Sequence, residues 1–148
     1  FSKFKKTISA NQKFIKNIEI KDFGLSNKNA LLKMKFLTKH NYNQTGGSSV
    51  INDPDFKEKN FFFAKFVVGD EFLNIKKKKL CFKIDVERHE LNVIEGLKKT
   101  LKQNETLILI EIYEKNFNMI NKTLKELGFN QIKKFKERSN YLYSNFIN

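Results

Sequence analysis

The sequence predicts an α/β fold, and three observations carry that prediction. The stretch TLILIEIY over 106–113 is a nearly continuous apolar run, the pattern of a parallel strand covered by helices on both faces. Apolar positions at helical spacing flank it, with Leu91, Ile94, Leu97 and Leu101 before and Phe117, Ile120, Leu124 and Leu127 after. The last two apolar segments, 129–135 and 141–146, are joined by the polar turn 136–140. That connection is too short for a crossover helix, so this final pair is expected to be antiparallel.

Taken in order, Phe1, Phe4 and Ile8 repeat as the tail of an amphipathic helix that Asn11 stops. Ile18, Ile20 and Phe23 alternate with polar residues, which predicts a strand over 17–23, broken by Gly24 and the Ser26-Asn27 pair. A second strand is expected over 30–37. Residues 38–60 are polar, carry Gly46-Gly47-Ser48-Ser49 and Asp53-Pro54, and read as one long loop. FFFAKFVV over 61–68 predicts a strand. Asp70 is placed to cap a short helix over 71–75. The lysine run 76–79 reads as a solvated turn. An apolar strand over 80–86 then ends in acids, and Gly128 stops the last helix.

Composition bounds the function. A chain of 148 residues, 40% hydrophobic and 30% charged, suits one globular domain. No apolar run reaches the ~20 residues of a membrane span. No apolar signal-peptide core follows the basic N-terminal residues. The lone Cys81 makes no disulfide framework, and a reducing, cytoplasmic setting is the expectation. With His40, His89 and one cysteine, no dedicated metal site is expected. The net charge of +13 raises a second reading, a basic module that binds nucleic acid or another polyanion. Only Arg88 and Arg138 are arginine, however, and phosphate recognition favours arginine forks over lysine point charges. No nucleic-acid partner is therefore expected. A true phosphate binder would weaken steeply with salt.

The stretch Phe82-Lys83-Ile84-Asp85-Val86-Glu87-Arg88-His89-Glu90, followed by Leu91-Asn92-Val93-Ile94-Glu95-Gly96, resembles a motif of the FkbM family of S-adenosylmethionine-dependent methyltransferases. That motif reads Lys-Ile-Asp-Val-Glu-Gly-His-Glu, then a hydrophobic position and a Gly. Weaker likenesses fall in the family order: Gly24-Leu25-Ser26, Gly46-Gly47-Ser48-Ser49, Asp70-Glu71-Phe72-Leu73 and Leu109-Ile110-Glu111-Ile112. The resemblance covers essentially the whole chain. It implies a class I methyltransferase sheet, Rossmann-like, with an antiparallel final strand pair, and methyl transfer to a hydroxyl of a sugar or other small molecule. Arg88 departs from the family by standing where a Gly is usual. The family's glycine-rich cofactor loop and the strand ending in Glu-Pro have no counterpart in the 148 residues. On that ground the chain is expected to be an N-terminally incomplete methyltransferase domain, inactive and poorly folded by itself.

The residues implied for chemistry follow from the same motif. Asp85 sits after an apolar strand, where open α/β sheets bind ligands. Asp85, Glu87 and His89 offer acid–base groups within five residues. In the plainer alternative, Asp85 caps the following helix while Glu87 and Glu90 favour its dipole. Glu111 interrupts its apolar strand, and Tyr113 follows on the same face. Both are candidates for the acceptor cleft, with Ser48 and Ser49 on a loop that reads equally as a lid or a connector. By resemblance, Phe23, Gly24, Leu25 and Ser26 lie near the cofactor, although a plain strand exit explains them as well. Oligomeric state is not legible.

Overall fold

A computed structural model describes residues 6–7, 9–10, 16–39, 42–51, 61–135 and 139–147. The helix expected around Phe1, Phe4, Ile8 and Asn11 falls on residues outside that set, as does Asp53-Pro54. The chain is α/β, arranged as two four-stranded sheets. The first holds β1 (Gly24–Ser26), β2 (Ala30–Lys39), β3 (Tyr42–Val50) and β4 (Phe61–Val68), in the order β1-β4-β2-β3. The second holds β5 (Lys79–Ile84), β6 (Glu105–Glu111), β7 (Asn130–Phe135) and β8 (Asn140–Ser144), in the order β5-β6-β8-β7. The helices are α1 (Gly69–Phe72), α2 (Glu90–Gly96), α3 (Lys98–Lys102) and α4 (Glu114–Glu126). None of the described helices is long and apolar enough to cross a membrane.

The second sheet follows its sequence closely. β5 and β6 are parallel, from Lys79↔Glu105 to Ile84↔Ile110. β8 runs antiparallel to both β6 and β7, as the short connection required. Gly128 ends α4's run at φ +89, a conformation that costs a residue without Cβ little. Burial alternates along β6, with Thr106, Ile108 and Ile110 inside and Leu107 and Leu109 half-buried. One face of the sheet therefore carries the core with Ile94, Leu97 and Leu101 and with Ile120 and Leu124 of α4. The expectation of helices on both faces does not hold among the described residues: Lys79, Cys81 and Lys83 of β5 are exposed on the other side. The helical face of 91–101 is also divided, because the chain breaks at Leu97 between α2 and α3.

The first sheet corrects three expectations. Residues 17–23 are not a strand; Ile18 is 46% exposed, and the strand is Gly24–Ser26, paired in parallel with Phe66–Val68. Gly24 belongs in that ladder rather than ending it, because a Cβ there would overlap the Phe66 ring. The loop expected over 38–60 contains β3, antiparallel to β2. A polar edge strand takes its bonds from backbone and offers no apolar alternation to read. Asp70 lies inside α1, not before it, and its carboxylate accepts from the N–H groups of Lys99 and Thr100 at 2.8 and 2.7 Å. It caps α3, about thirty residues along the chain, a bond type that contributes roughly 1 kcal/mol.

The two sheets meet through α2 and β1. A Cβ on Gly96 would overlap the Ser26 carbonyl, so the helix approaches the strand at glycine distance. Asn27 Nδ2 donates to Glu95 Oε2 at 2.8 Å, and His89 Nε2 lies 3.0 Å from Ser26 Oγ.

Candidate functional site

Asp85 and Glu111 stand side by side at the carboxyl ends of β5 and β6, one step beyond the Ile84↔Ile110 pair. Lys83 Nζ donates to Asp85 Oδ2 at 3.0 Å. Burial first, and the hydrogen-bonding Asp85 carboxyl next, push Glu111 above the usual carboxylate range. Glu111 is thus drawn toward the neutral form. Asp85 does not occupy the N-cap position of α2. The N-cap is His89, without a side-chain cap bond, and Glu90 is the acid of the first turn.

The connection from β5 to α2 is strained. Glu87 has φ +50 and Arg88 φ +76, both left-handed without being glycine. Tyr113 Oη donates to Glu87 Oε2 at 2.9 Å, and this bond leads the causes that raise the phenol's proton affinity. The Arg88 guanidinium stacks 5.3 Å from the Tyr113 ring centre. Arg88→Gly is expected to stabilise the protein by about 0.5–1 kcal/mol, after subtracting the lost cation–π contact. Thermal melts of the two versions should differ by roughly 2–3 °C. Equal melting temperatures would mean that the turn carries no strain at Arg88.

His89 and Ser26 face each other in the interior, with 4% and 0% of their surfaces exposed. Burial, and secondarily the charge of Lys28, lower the imidazole's proton affinity, which keeps the ring neutral near pH 7. Its Nδ1 has no partner among the described residues. Because the folded pKa lies below the ordinary 6.5, the unfolded chain takes up a proton first as pH falls. The wild-type protein should therefore lose melting temperature between about pH 7.5 and 5.5 more steeply than His89→Gln. Glu90, pushed up by burial, works in the opposite direction in both versions, so their difference isolates His89. Parallel slopes would refute the buried, neutral imidazole.

Two cavities flank this turn. One, of about 470 Å³, is lined by Phe23, Gly24, Leu25, Ser48, Asp85 and His89, with Asp22 and Phe66 beside them. Phe23 is held by an edge-on contact with Phe72 at 4.9 Å. The other, of about 430 Å³, is lined by Ser49, Glu87, Arg88 and Glu90, with Lys35 and the α4 residues Lys115 and Asn116. Ser48 and Ser49 are successive residues of β3, and strand alternation sends them to different cavities. Glu111 and Tyr113 line neither; they back the turn from the end of β6 and the N-cap position of α4. Ser26 is too buried to line the first cavity and instead positions His89.

Sequence reasoning missed three participants. Lys83 holds Asp85; it stands at the motif's lysine position, but no role was read for it there. Lys115 lies outside the apolar positions by which its helix was read. Glu90 was read as a dipole partner, yet it is 1% exposed. Its Oε1 accepts from the Arg88 N–H at 2.8 Å, and its Oε2 has no partner.

Residues 62–130 match the family model of the methyltransferase FkbM domain. The matched segment contains Asp85, Glu87, His89, Glu111 and Tyr113; Phe23–Ser26 and Ser48–Ser49 lie before it. No curated protein and no solved structure matches the chain.

Proposed function

We propose, from the premise that residues 62–130 belong to the FkbM methyltransferase family, that this methyltransferase moves a methyl group from S-adenosylmethionine to a hydroxyl of a sugar or other small molecule. The observation that carries the proposal is the 85–90 turn between two cavities, with Asp85 bordering one and Glu87 and Arg88 the other.

The residues bordering the larger cavity suit the cofactor. Phe23, Leu25 and Phe66 offer an apolar wall for a flat base. Asp22 and Asp85 offer carboxylates for hydroxyl and cationic groups. When bound, S-adenosylmethionine supplies an electrophilic methyl group. The chain's task is then to place the acceptor oxygen and take its proton. Placement contributes most of such a rate. Asp85 is the proposed proton acceptor, oriented by Lys83. Glu111 backs Asp85 with a carboxyl drawn toward the neutral form. Glu87, fixed by the Tyr113 hydroxyl, and Ser49 are proposed to bind acceptor hydroxyls. Neutral His89 positions β1 against α2 and borders the cofactor cavity, where it is a second candidate for proton transfer.

Because the 148 residues carry no counterpart of the family's glycine-rich cofactor loop and are proposed to be inactive by themselves, the test is incubation of a version that also carries that loop with methyl-labelled S-adenosylmethionine and a panel of mono- and disaccharides. Label recovered as a methyl ether on a sugar hydroxyl is the expected result. Label on nitrogen, sulfur or carbon with none on oxygen would exclude the hydroxyl acceptor.

A further inference from the structure

We infer that the acceptor is anionic, and that its carboxylate or phosphate group is received by Lys35, Arg88 and Lys115 in the cavity beside the 85–90 turn. The inference rests on the methyltransferase reading and narrows its substrate class. The three cations reach one cavity from three separate elements: β2, the turn after β5, and the first turn of α4. Among the described residues none of the three makes an ion pair. The two carboxyl groups in the same wall are fewer than the three cations. Glu87 accepts from the Tyr113 hydroxyl. Glu90 is buried, engaged on one oxygen by the Arg88 backbone, and drawn by burial toward its neutral form. The wall therefore keeps an excess of positive charge.

Two further features point the same way. α4 has thirteen residues, and Lys115 and Asn116 of its first turn line the cavity, so the positive end of its dipole lies there. Arg88 holds a backbone conformation that glycine would adopt without strain. A strained residue whose side chain borders a cavity is where a functional demand outweighs backbone preference.

Calorimetric titration of the protein with D-glucuronate, D-glucose 6-phosphate, D-glucose and inorganic phosphate tests the inference. At least one acidic sugar should bind about tenfold or more tightly than glucose, and inorganic phosphate more weakly than that sugar. Lys115→Ala and Lys35→Ala should each weaken the acidic sugar about tenfold. Both lysines are exposed, so these variants should melt as the wild type does. Equal affinity for acidic and neutral sugars, binding of neither, or unchanged affinity in both lysine variants would overturn the inference. So would inorganic phosphate binding as tightly as glucose 6-phosphate, because the cavity would then hold a free anion. Release of S-adenosylhomocysteine in the same samples reads the parent assignment separately. Release without a preference for acidic sugars overturns the inference alone; preference without release supports the anion cavity and counts against methyl transfer.

Discussion

Asp85→Asn should lower methyl transfer by about 10²–10⁴-fold while leaving the melting temperature within about 2 °C of wild type. The two halves of that expectation have separate causes. Asn keeps the shape of the side chain but cannot take a proton from the acceptor. It also removes a charge beside Glu111, whose proton affinity should fall toward its ordinary value. Stability is little affected because the Lys83–Asp85 pair is half-exposed on both sides, and such pairs contribute about 0–1 kcal/mol. Turnover within about threefold of wild type, with the fold intact, would remove Asp85 from the chemistry.

Gly96→Ala should be the most damaging single substitution at the junction of the two sheets, costing about 3 kcal/mol. The new Cβ would overlap the Ser26 carbonyl, a backbone atom that cannot rotate away. α2 would have to withdraw from β1. That withdrawal stretches the His89–Ser26 contact and the Asn27–Glu95 hydrogen bond together. It also opens the cavity shared by Phe23–Leu25 and Asp85. A melting temperature lower by roughly 10 °C is expected. A change of less than 2 °C would show that α2 and β1 are not packed at glycine distance.

The second sheet was the more legible half of the molecule because its strands are apolar and its helices amphipathic. Burial of Ile108 and Ile110 against Ile120 and Leu124 leaves a pattern that period counting recovers. β3 left no such pattern. Its backbone pairs with β2, and an edge strand needs little apolar sequence to do so. β1 was displaced because Ile18, Ile20 and Phe23 alternate as a strand does, while the three residues that pair with β4 include a glycine. Asp70 showed a cap's chemistry but not its target, since sequence spacing cannot show that α3 folds back against α1.

The site divides in the same way. Asp85, Glu87, Glu111 and Tyr113 were legible as acids and a phenol at or just past the ends of apolar strands, and the fold sets Glu87 beside Tyr113 and Asp85 beside Glu111. The inward turn of His89 toward Ser26, and the burial of Glu90, depend on β1 lying against α2. That contact joins residues more than sixty positions apart. The left-handed backbone at Arg88 was the condition under which a usual glycine would matter, and φ +76 meets it.

The most direct test of the central claim is ultraviolet cross-linking of S-adenosylmethionine to the protein, with the labelled peptide identified by mass spectrometry. Label is expected on peptides carrying Phe23–Ser26 or Asp85–His89, competed away by excess S-adenosylhomocysteine. Absence of competed label, or label confined to peptides elsewhere such as β7 and β8, would contradict that claim.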